Sequence, residues 1–148
     1  MQVHLEGSVG IKARAGRVFE LLTDPRFIAS TLPDAEDVVV VDQNNVEAKI
    51  KVRLSLVSSS LRVKLRIGDK RPPGHAMLHA EGSGGGSTLR ITSAFDLEGD
   101  VSTRVKWMAD AEVTGLMAGF GSTLLQGFAE KKVKEIFEGI TKAIEAQA

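Results

Sequence analysis

The chain has 148 residues, a formal net charge of zero and no cysteine. The length suits one domain, residues 1–148, with a substantial core. The charge balance argues against a nucleic-acid partner, and the lack of cysteine excludes disulfides, thiolate metal sites and a cysteine nucleophile. No stretch approaches the roughly 20 apolar residues of a membrane span, and the N-terminus has no signal-peptide pattern. We therefore expect a cytoplasmic protein.

The first half of the chain predicts a strand, two short helices and then further strands. Residues 2 to 11 alternate between apolar and polar side chains, as is typical of a half-buried strand. The segments "AGRVFELL" and "RFIASTL" have helical spacing, are separated by Asp24-Pro25 and end at Pro33. The alternating segments that follow predict an antiparallel sheet, with a type I′ turn at Asn44-Asn45. We interpret "GSGGGS" as a hairpin loop rather than a domain linker, because alternating segments adjoin it on both sides.

The last alternating segment, "STRVKWMADAEVT", leads into a long helical pattern. We predict one helix from about Leu116 to Glu145, with Thr114 as its N-cap, facing about seven strands. Three glycines, Gly119, Gly121 and Gly127, fall within its first part, where each costs roughly 0.5–1 kcal/mol relative to alanine. They either let helix and strand backbones approach closely or leave an apolar cavity. The residues alone leave both interpretations open.

The strand side chains expected to face this helix are apolar, with Ser93 as the one polar exception in the four clearest strands. An acid–base enzyme needs a positioned ionisable group, so we predict no catalytic residue. If the faces were assigned wrongly, Asp110, Glu112 and His79 would be the first candidates. His75 and His79 lie four residues apart on a strand, roughly 13 Å, which is too far for one shared metal. We expect neither a metal nor a cofactor.

The opposite strand faces are rich in lysine and arginine. A solvated outer face accounts for this composition, since lysine and arginine also discourage edge pairing. The alternative is a docking surface for an acidic partner protein or for membrane headgroups. The candidate docking residues on two neighbouring strands are Lys49, Lys51, Arg53, Arg62, Lys64 and Arg66.

Two segments resemble the CoxG family of carbon monoxide dehydrogenase proteins, within the SRPBCC superfamily of START and Bet v 1-like domains. They are "LEGSVGIKARAGRVFELLTDPRFIASTLPDAEDV" and "MADAEVTGLMAGFGSTLL". The resemblance covers nearly the whole chain and consists of spacing and small residues. The chain departs from the family's usual pattern at Ala15-Gly16, where Ala-Pro is common, and at Leu32-Pro33-Asp34, where Leu-Pro-Gly is common.

The resemblance implies an α+β helix-grip fold, in which a seven-stranded antiparallel sheet wraps around a long C-terminal helix and encloses an apolar cavity. It also implies a non-catalytic carrier of a hydrophobic molecule, such as a lipid or quinone, or an accessory protein of a molybdenum-containing carbon monoxide dehydrogenase, with peripheral membrane contact. The alternatives are a cyclase or hydratase on the same fold and an assembly factor whose cavity is filled.

With the resemblance, the cavity becomes the favoured explanation of the glycines. The expected ligand-binding residues are Ile91, Ser93, Phe95, Trp107, Ala109, Ala111, Met117, Phe120, Gly121 and Leu124. The expected cavity mouth is Phe27, Ile28 and Leu32. Ligand release would then require the segment from Asp24 to Asp34 to move.

Overall fold

The computed structural model describes residues 1–54 and 57–147. Its elements, in chain order, are β1 (Gln2–Ile11), α1 (Ala15–Leu22), α2 (Pro25–Thr31), β2 (Ala35–Asp42), β3 (Asn45–Leu54), β4 (Val57–Arg71), β5 (His75–Gly84), β6 (Ser87–Gly99), β7 (Thr103–Gly115), a 3₁₀ helix (Leu116–Phe120) and α3 (Ser122–Gln147). The strands form one antiparallel sheet in the order β1-β7-β6-β5-β4-β3-β2. The predicted α+β helix-grip architecture is confirmed, with β1 and β2 at the sheet edges.

The two short helices form where the sequence predicts them. Helix α1 is amphipathic and buries Val18, Leu21 and Leu22. The Asp24 carboxylate caps α2 by accepting a hydrogen bond from the backbone N–H of Arg26 at 3.0 Å. Pro25 occupies the first position of α2, where its missing N–H costs nothing.

The predicted long helix is wrong at its start. The chain after β7 first forms the 3₁₀ helix, with Gly115 at its N-cap position, and α3 begins at Ser122, so Thr114 lies within β7 and is not an N-cap. Gly121 separates the two helices with a φ of +89°, a left-handed conformation that favours glycine. This glycine is required by the backbone.

The other two glycines do not open space at a crossing of helix and sheet either. Gly119 is exposed in the 3₁₀ helix, and Gly127 is exposed on the solvent face of α3. A different glycine makes the close approach: a Cβ at Gly139 would lie 3.1 Å from the backbone oxygen of Thr31. The glycine of α3 that allows tight packing therefore faces α2.

The β2–β3 turn is displaced by one residue from the predicted position, and the β5–β6 loop is shorter than expected. The β2–β3 turn is at Gln43 and Asn44, and the Asp42 carboxylate accepts from the Asn44 backbone at 2.8 Å. Among the described residues, the non-glycine positions with positive φ are Asp37 and Asp69, so the predicted type I′ turn at Asn44-Asn45 is wrong. The "GSGGGS" segment is a hairpin, since Gly84 pairs with Ser87.

Most of the core forms two apolar clusters at opposite ends of the sheet, and Val46, Ala48, Ile67 and Ala80 are buried outside them. The first, here the α1–α2 cluster, joins α1 and α2 to the C-terminal part of α3 and includes Ile11, Val18, Phe95, Val105, Ile140 and Ile144. The second, here the 3₁₀ cluster, includes Val3, Leu54, Leu61, Val113, Met117 and Leu125. Each fully buried Val, Leu, Ile, Phe or Met side chain stabilises a fold by about 1.5–3 kcal/mol. Both clusters therefore contribute strongly to stability.

Candidate functional site

Between the two clusters, the centre of the inner sheet face carries side chains that are apolar or small and only partly buried. Leu78, Ser93 and Ala109 lie side by side on β5, β6 and β7. Ile91 precedes Ser93 on the same face, and all four side chains are partly exposed. In the described part of the chain, none of them belongs to either cluster. We call this region the gap.

The gap lies between the two clusters through which α3 packs on the sheet. Helix α3 makes its most extensive sheet contact with β1, at the edge, and reaches α2 at the other end. Side chains of α3 reach β5, β6 and β7 in the α1–α2 cluster and through the Trp107–Phe137 contact, whereas the four gap residues belong to neither cluster. The small side chains of Ser93 and Ala109 leave further space at this position. The Ser93 hydroxyl donates to the backbone oxygen of Met108 at 2.8 Å, and its lone pairs remain able to accept.

A groove with a volume of about 1050 Å³ runs between β1 and α3. Its apolar walls are formed by Leu5, Val9, Trp107, Val133 and Phe137. Charged and polar side chains of α3 form the rim. Apolar walls with a polar rim are the usual composition of a site for a hydrophobic small molecule.

Hydrogen bonds hold α3 to the free edge of β1 at both ends of this groove. The Gln126 amide donates to the backbone oxygen of His4 at 3.3 Å. At the other end, the backbone N–H of Lys12 donates to the Glu145 carboxylate at 2.8 Å. The distance between these two points is about 28 Å along the helix and about 26 Å along the strand. The groove is therefore a slit bounded by two polar ties.

Trp107 is the aromatic wall of the slit. Its ring lies 5.3 Å from that of Phe137, centroid to centroid, with a tilt of 30°. Gly7 lies directly opposite Trp107 on β1, and a Cβ at Gly7 would come within 3.1 Å of the indole. The absence of a side chain at Gly7 makes room for the indole. Sequence reasoning does not identify this glycine as part of the site, although its position within an alternating strand is the available signal.

The ionisable side chains near the slit lie on its margin. His4 is held between two carboxylates, with Nδ1 2.6 Å from Asp110 and Nε2 3.0 Å from Glu6. The hydrogen bond to Glu6, followed by that to Asp110, raises the pKa of His4 above its usual range. Because both ring nitrogens are engaged, neither is free to take a proton from a ligand.

The acid–base candidates named from the sequence point away from the interior. Asp110 pairs across strands with His4, Glu112 with Arg90, and His79 with Arg66, all on the outer sheet face. Among the described residues, no three His, Cys, Asp or Glu side chains come together as metal ligands.

The structure does not bring the expected ligand-binding residues together in one site. Ile91, Ser93 and Ala109 lie in the gap, and Trp107 lines the slit. Phe95 and Met117 are buried in the two clusters, with Ala111 and Phe120 packed against the second. Leu124 is 42% exposed, because α3 starts later than expected and turns this side chain outward. Gly121 connects the two helices.

The residues expected at the cavity mouth lie in packed structure. Ile28 is 9% exposed within the α1–α2 cluster, and Phe27 packs against that cluster. Leu32 follows the end of α2 and is partly buried. The segment from Asp24 to Asp34 closes its end of the molecule, whereas the opening lies between β1 and α3. Sequence reasoning does not locate this opening, since it depends on the lean of α3.

The six candidate docking residues lie on the outer face of β3 and β4. Two of them have carboxylate partners: Lys51 lies 2.6 Å from Glu36, and Lys64 lies 3.9 Å from Glu47. Lys49 and Arg62 are directly opposite each other, and like charges in this position destabilise a sheet. Arg66 is opposite Asn45 on β3, and Arg53 is opposite Ser58 on β4.

No helix among the described residues has the length and apolar character to cross a bilayer.

The architecture is that of START and Bet v 1-like proteins. The chain is similar to a conserved protein from Geobacillus kaustophilus, with a TM-score of 0.85, 23% identity and coverage of 97% of this chain and 95% of that one. It is similar to a START superfamily protein from Mycobacterium smegmatis, with a TM-score of 0.72, 12% identity and coverage of 98% and 99%. The Zhui aromatase/cyclase from Streptomyces sp. R1128 matches with a TM-score of 0.70, 13% identity and coverage of 98% and 94%. At sequence identities of 12–23%, the structural similarity establishes the fold alone.

The family follows from the sequence itself. Residues 7–145 match the model of the CoxG family, which is described as a subunit family of carbon monoxide dehydrogenase. The chain belongs to this family, as the resemblance of its two segments indicates. No curated protein is similar to the chain at a significant level.

Proposed function

We propose that this CoxG protein is a non-catalytic carrier that holds a hydrophobic small molecule, such as a lipid or a quinone, in the gap and exchanges it through the slit between β1 and α3. The observation that supports this best is the division of the core into two clusters with partly exposed apolar side chains between them. Side chains such as Ile91 and Leu78 are then covered by the ligand rather than by the protein.

The chemistry of the gap supports binding over catalysis. Ser93 is the polar group at the centre of the gap, and its hydroxyl already donates a hydrogen bond to the Met108 backbone oxygen. His4, the nearest histidine to the slit, has both nitrogens on carboxylates. Burying apolar ligand surface at about 25 cal/mol per Å² supplies several kcal/mol before the cost of association, which is sufficient for reversible carriage.

Exchange requires the slit to widen. The two ties, Gln126 to His4 and Lys12 to Glu145, are exposed hydrogen bonds, which are individually weak. Breaking them allows α3 to separate from the edge of β1, and this movement also loosens both clusters, because each contains residues of β1 and of α3. This exit replaces the movement of residues 24–34 expected from the sequence.

The family name adds a proposed partner. As a carrier of a hydrophobic molecule, the protein would be an accessory to a molybdenum-containing enzyme of the carbon monoxide dehydrogenase type. It would act at the inner face of the membrane. Copurification of such an enzyme with tagged protein from the source cells, measured by mass spectrometry, tests this part. An enzyme that neither copurifies with nor responds to the added protein contradicts it.

Native mass spectrometry of gently purified protein tests the carrier function. We expect a bound hydrophobic molecule, removable by organic extraction, and rebinding of ubiquinone or a fatty acid to the extracted protein. Ala109→Phe fills the gap and should abolish rebinding. Ala94→Phe is the matched control, because Ala94 lies on the outer face of the neighbouring strand, opposite Met77 and Met108.

Three outcomes contradict the carrier function. Rebinding by Ala109→Phe equal to that of Ala94→Phe places the ligand elsewhere. Protein that never binds an apolar molecule, yet still associates with the enzyme, is an assembly factor with a filled cavity. A bound molecule that is converted on incubation indicates the cyclase or hydratase alternative.

A further inference from the structure

One hydroxyl group at the slit is buried without a hydrogen-bond partner. Thr141 lies on α3 and is one of the residues that line the slit. Its Oγ1 atom is buried and forms no hydrogen bond among residues 1–54 and 57–147. A buried polar atom without a partner is costly and rare in folded proteins, so this one requires an explanation.

Hydroxyl side chains in the other helices are satisfied locally. Thr23, at the end of α1, donates to the backbone oxygen of Phe19 at 2.8 Å, and Thr31, in α2, donates to that of Ile28 at 2.8 Å. A helix offers such a bond because the backbone oxygen three or four residues earlier lies close to the side chain. Thr141 does not make this bond, so its hydroxyl is available to a partner outside the helix.

The position of Thr141 along the slit indicates what this partner can be. Phe137, whose ring packs against that of Trp107, lies one helical turn before Thr141, about 6 Å along the axis. Glu145, which accepts the hydrogen bond from the Lys12 backbone, lies one turn after it. A flat ring that packs against the aromatic wall therefore has its edge near Thr141.

The hydroxyl can face such a ring without a movement of the backbone. Threonine in a helix populates two χ1 rotamers, and rotation between them changes the direction in which the hydroxyl points. Because Thr141 lines the slit, this rotation can turn the hydroxyl toward a bound molecule. A hydroxyl is a hydrogen-bond donor, so an oxygen with free lone pairs is a suitable partner.

We propose that Thr141 is a specificity-determining residue of the carrier, and that its hydroxyl donates a hydrogen bond to a carbonyl oxygen at the edge of a ring held in the slit. The proposal rests on the carrier function and names the chemical group that the ligand presents. Trp107 and Ala109 are successive inner-face residues of β7, about 7 Å apart, so one ligand extends from the slit into the gap. A ring without such an oxygen leaves the hydroxyl unpaired.

A matched pair of probes tests the proposal. Menadione carries carbonyl oxygens on a fused pair of rings, and methylnaphthalene has the same carbon skeleton without them. Binding of each probe to the ligand-extracted full chain is followed by NMR through the indole N–H signal of Trp107, the one tryptophan in the chain. We expect Thr141→Val to bind menadione about fivefold to tenfold more weakly than the wild type and to bind methylnaphthalene equally well.

The stability of the extracted protein provides a second measurement. Valine has the shape of threonine without the hydroxyl, so Thr141→Val removes the unpaired group and should raise the urea midpoint. Thr31→Val is the matched control, because it removes a threonine hydroxyl that has a partner. We expect the control to lower the midpoint and to leave the affinity for both probes unchanged.

Unchanged menadione binding by Thr141→Val, or an equal loss of both probes, overturns the proposal. An unchanged or lowered urea midpoint also overturns it, since the hydroxyl then has a partner within the protein. The carrier function is judged separately. A wild-type protein that rebinds a fatty acid but not menadione remains a carrier and loses the specificity assigned to Thr141, whereas a protein that binds no apolar molecule loses both.

Discussion

Replacing Ala109 by phenylalanine distinguishes an open gap from a packed interior by the sign of the stability change. Ala109 lies between Leu5 and Ser93 across the strands, is partly exposed and stands outside both clusters. An added ring that enters open space buries apolar surface, worth about 1.5–3 kcal/mol when burial is complete. Because the gap is partly accessible, we expect the free energy of unfolding to rise by about 1 kcal/mol at most. Overpacking a closed interior instead costs about 1–3 kcal/mol.

Urea denaturation of ligand-extracted protein measures this difference, with the midpoint and the m-value fitted separately. For a chain of this length, 1 kcal/mol also shifts the melting temperature by about 2–4 °C. Ala94→Phe should leave stability within about 0.5 kcal/mol of the wild type, as expected for a surface change. Destabilisation of Ala109→Phe by more than 1 kcal/mol, with ligand rebinding retained, would refute the open gap.

Two further predictions concern Gly7 and His4 at the slit, and a third concerns Thr103 at the start of β7. Gly7→Ala places a methyl group against the Trp107 indole, so it should weaken ligand binding several-fold and shift the tryptophan fluorescence. The control variant Gly10→Ala, on the same strand, meets nothing within 4 Å and should change neither property. Equal effects of the two variants contradict the role of Gly7. His4 has a raised pKa in the folded state, so its stabilising contribution is complete below the unfolded pKa of about 6.5 and is lost as pH rises through the folded value; NMR titration of the His4 ring checks the direction, and a pKa at or below that of an unfolded histidine contradicts it. Thr103→Val removes a buried hydrogen bond of 2.8 Å to a backbone oxygen and should lower the free energy of unfolding by about 1–3 kcal/mol in urea denaturation, so an unchanged midpoint argues against this bond.

The strands and their faces are well predicted from the sequence because alternation is a local property. The bounds of β1 and α1 agree with the predicted segments, and the inner side chains of β6 and β7 are those expected. The turn at Gln43 and Asn44 differs from the prediction, since the Asp42 carboxylate fixes it through contacts that asparagine propensity does not report. Local patterns thus predict the sheet better than its connections.

The site is predicted less completely, because the opening depends on the position of one helix. Helical periodicity continues through Gly121, so nothing in the pattern indicates the break that moves the start of α3 to Ser122. Leu124 is exposed in the first turn of α3, and Gly139 allows the helix to approach α2 closely. Strand alternation identifies the small residues Ser93 and Ala109, whereas the slit between β1 and α3 depends on tertiary packing.

The division of the core has a consequence for the stability of the protein without a bound ligand. The two clusters share hydrogen-bonded strands, yet the apolar packing between them is incomplete. Amide hydrogens at the α1–α2 end and at the 3₁₀ end should therefore exchange with solvent independently in the extracted protein, and together once an apolar molecule bridges the two ends. Under the proposed carrier function, binding of the ligand would complete the packing of the core, and release would return the protein to two weakly coupled clusters.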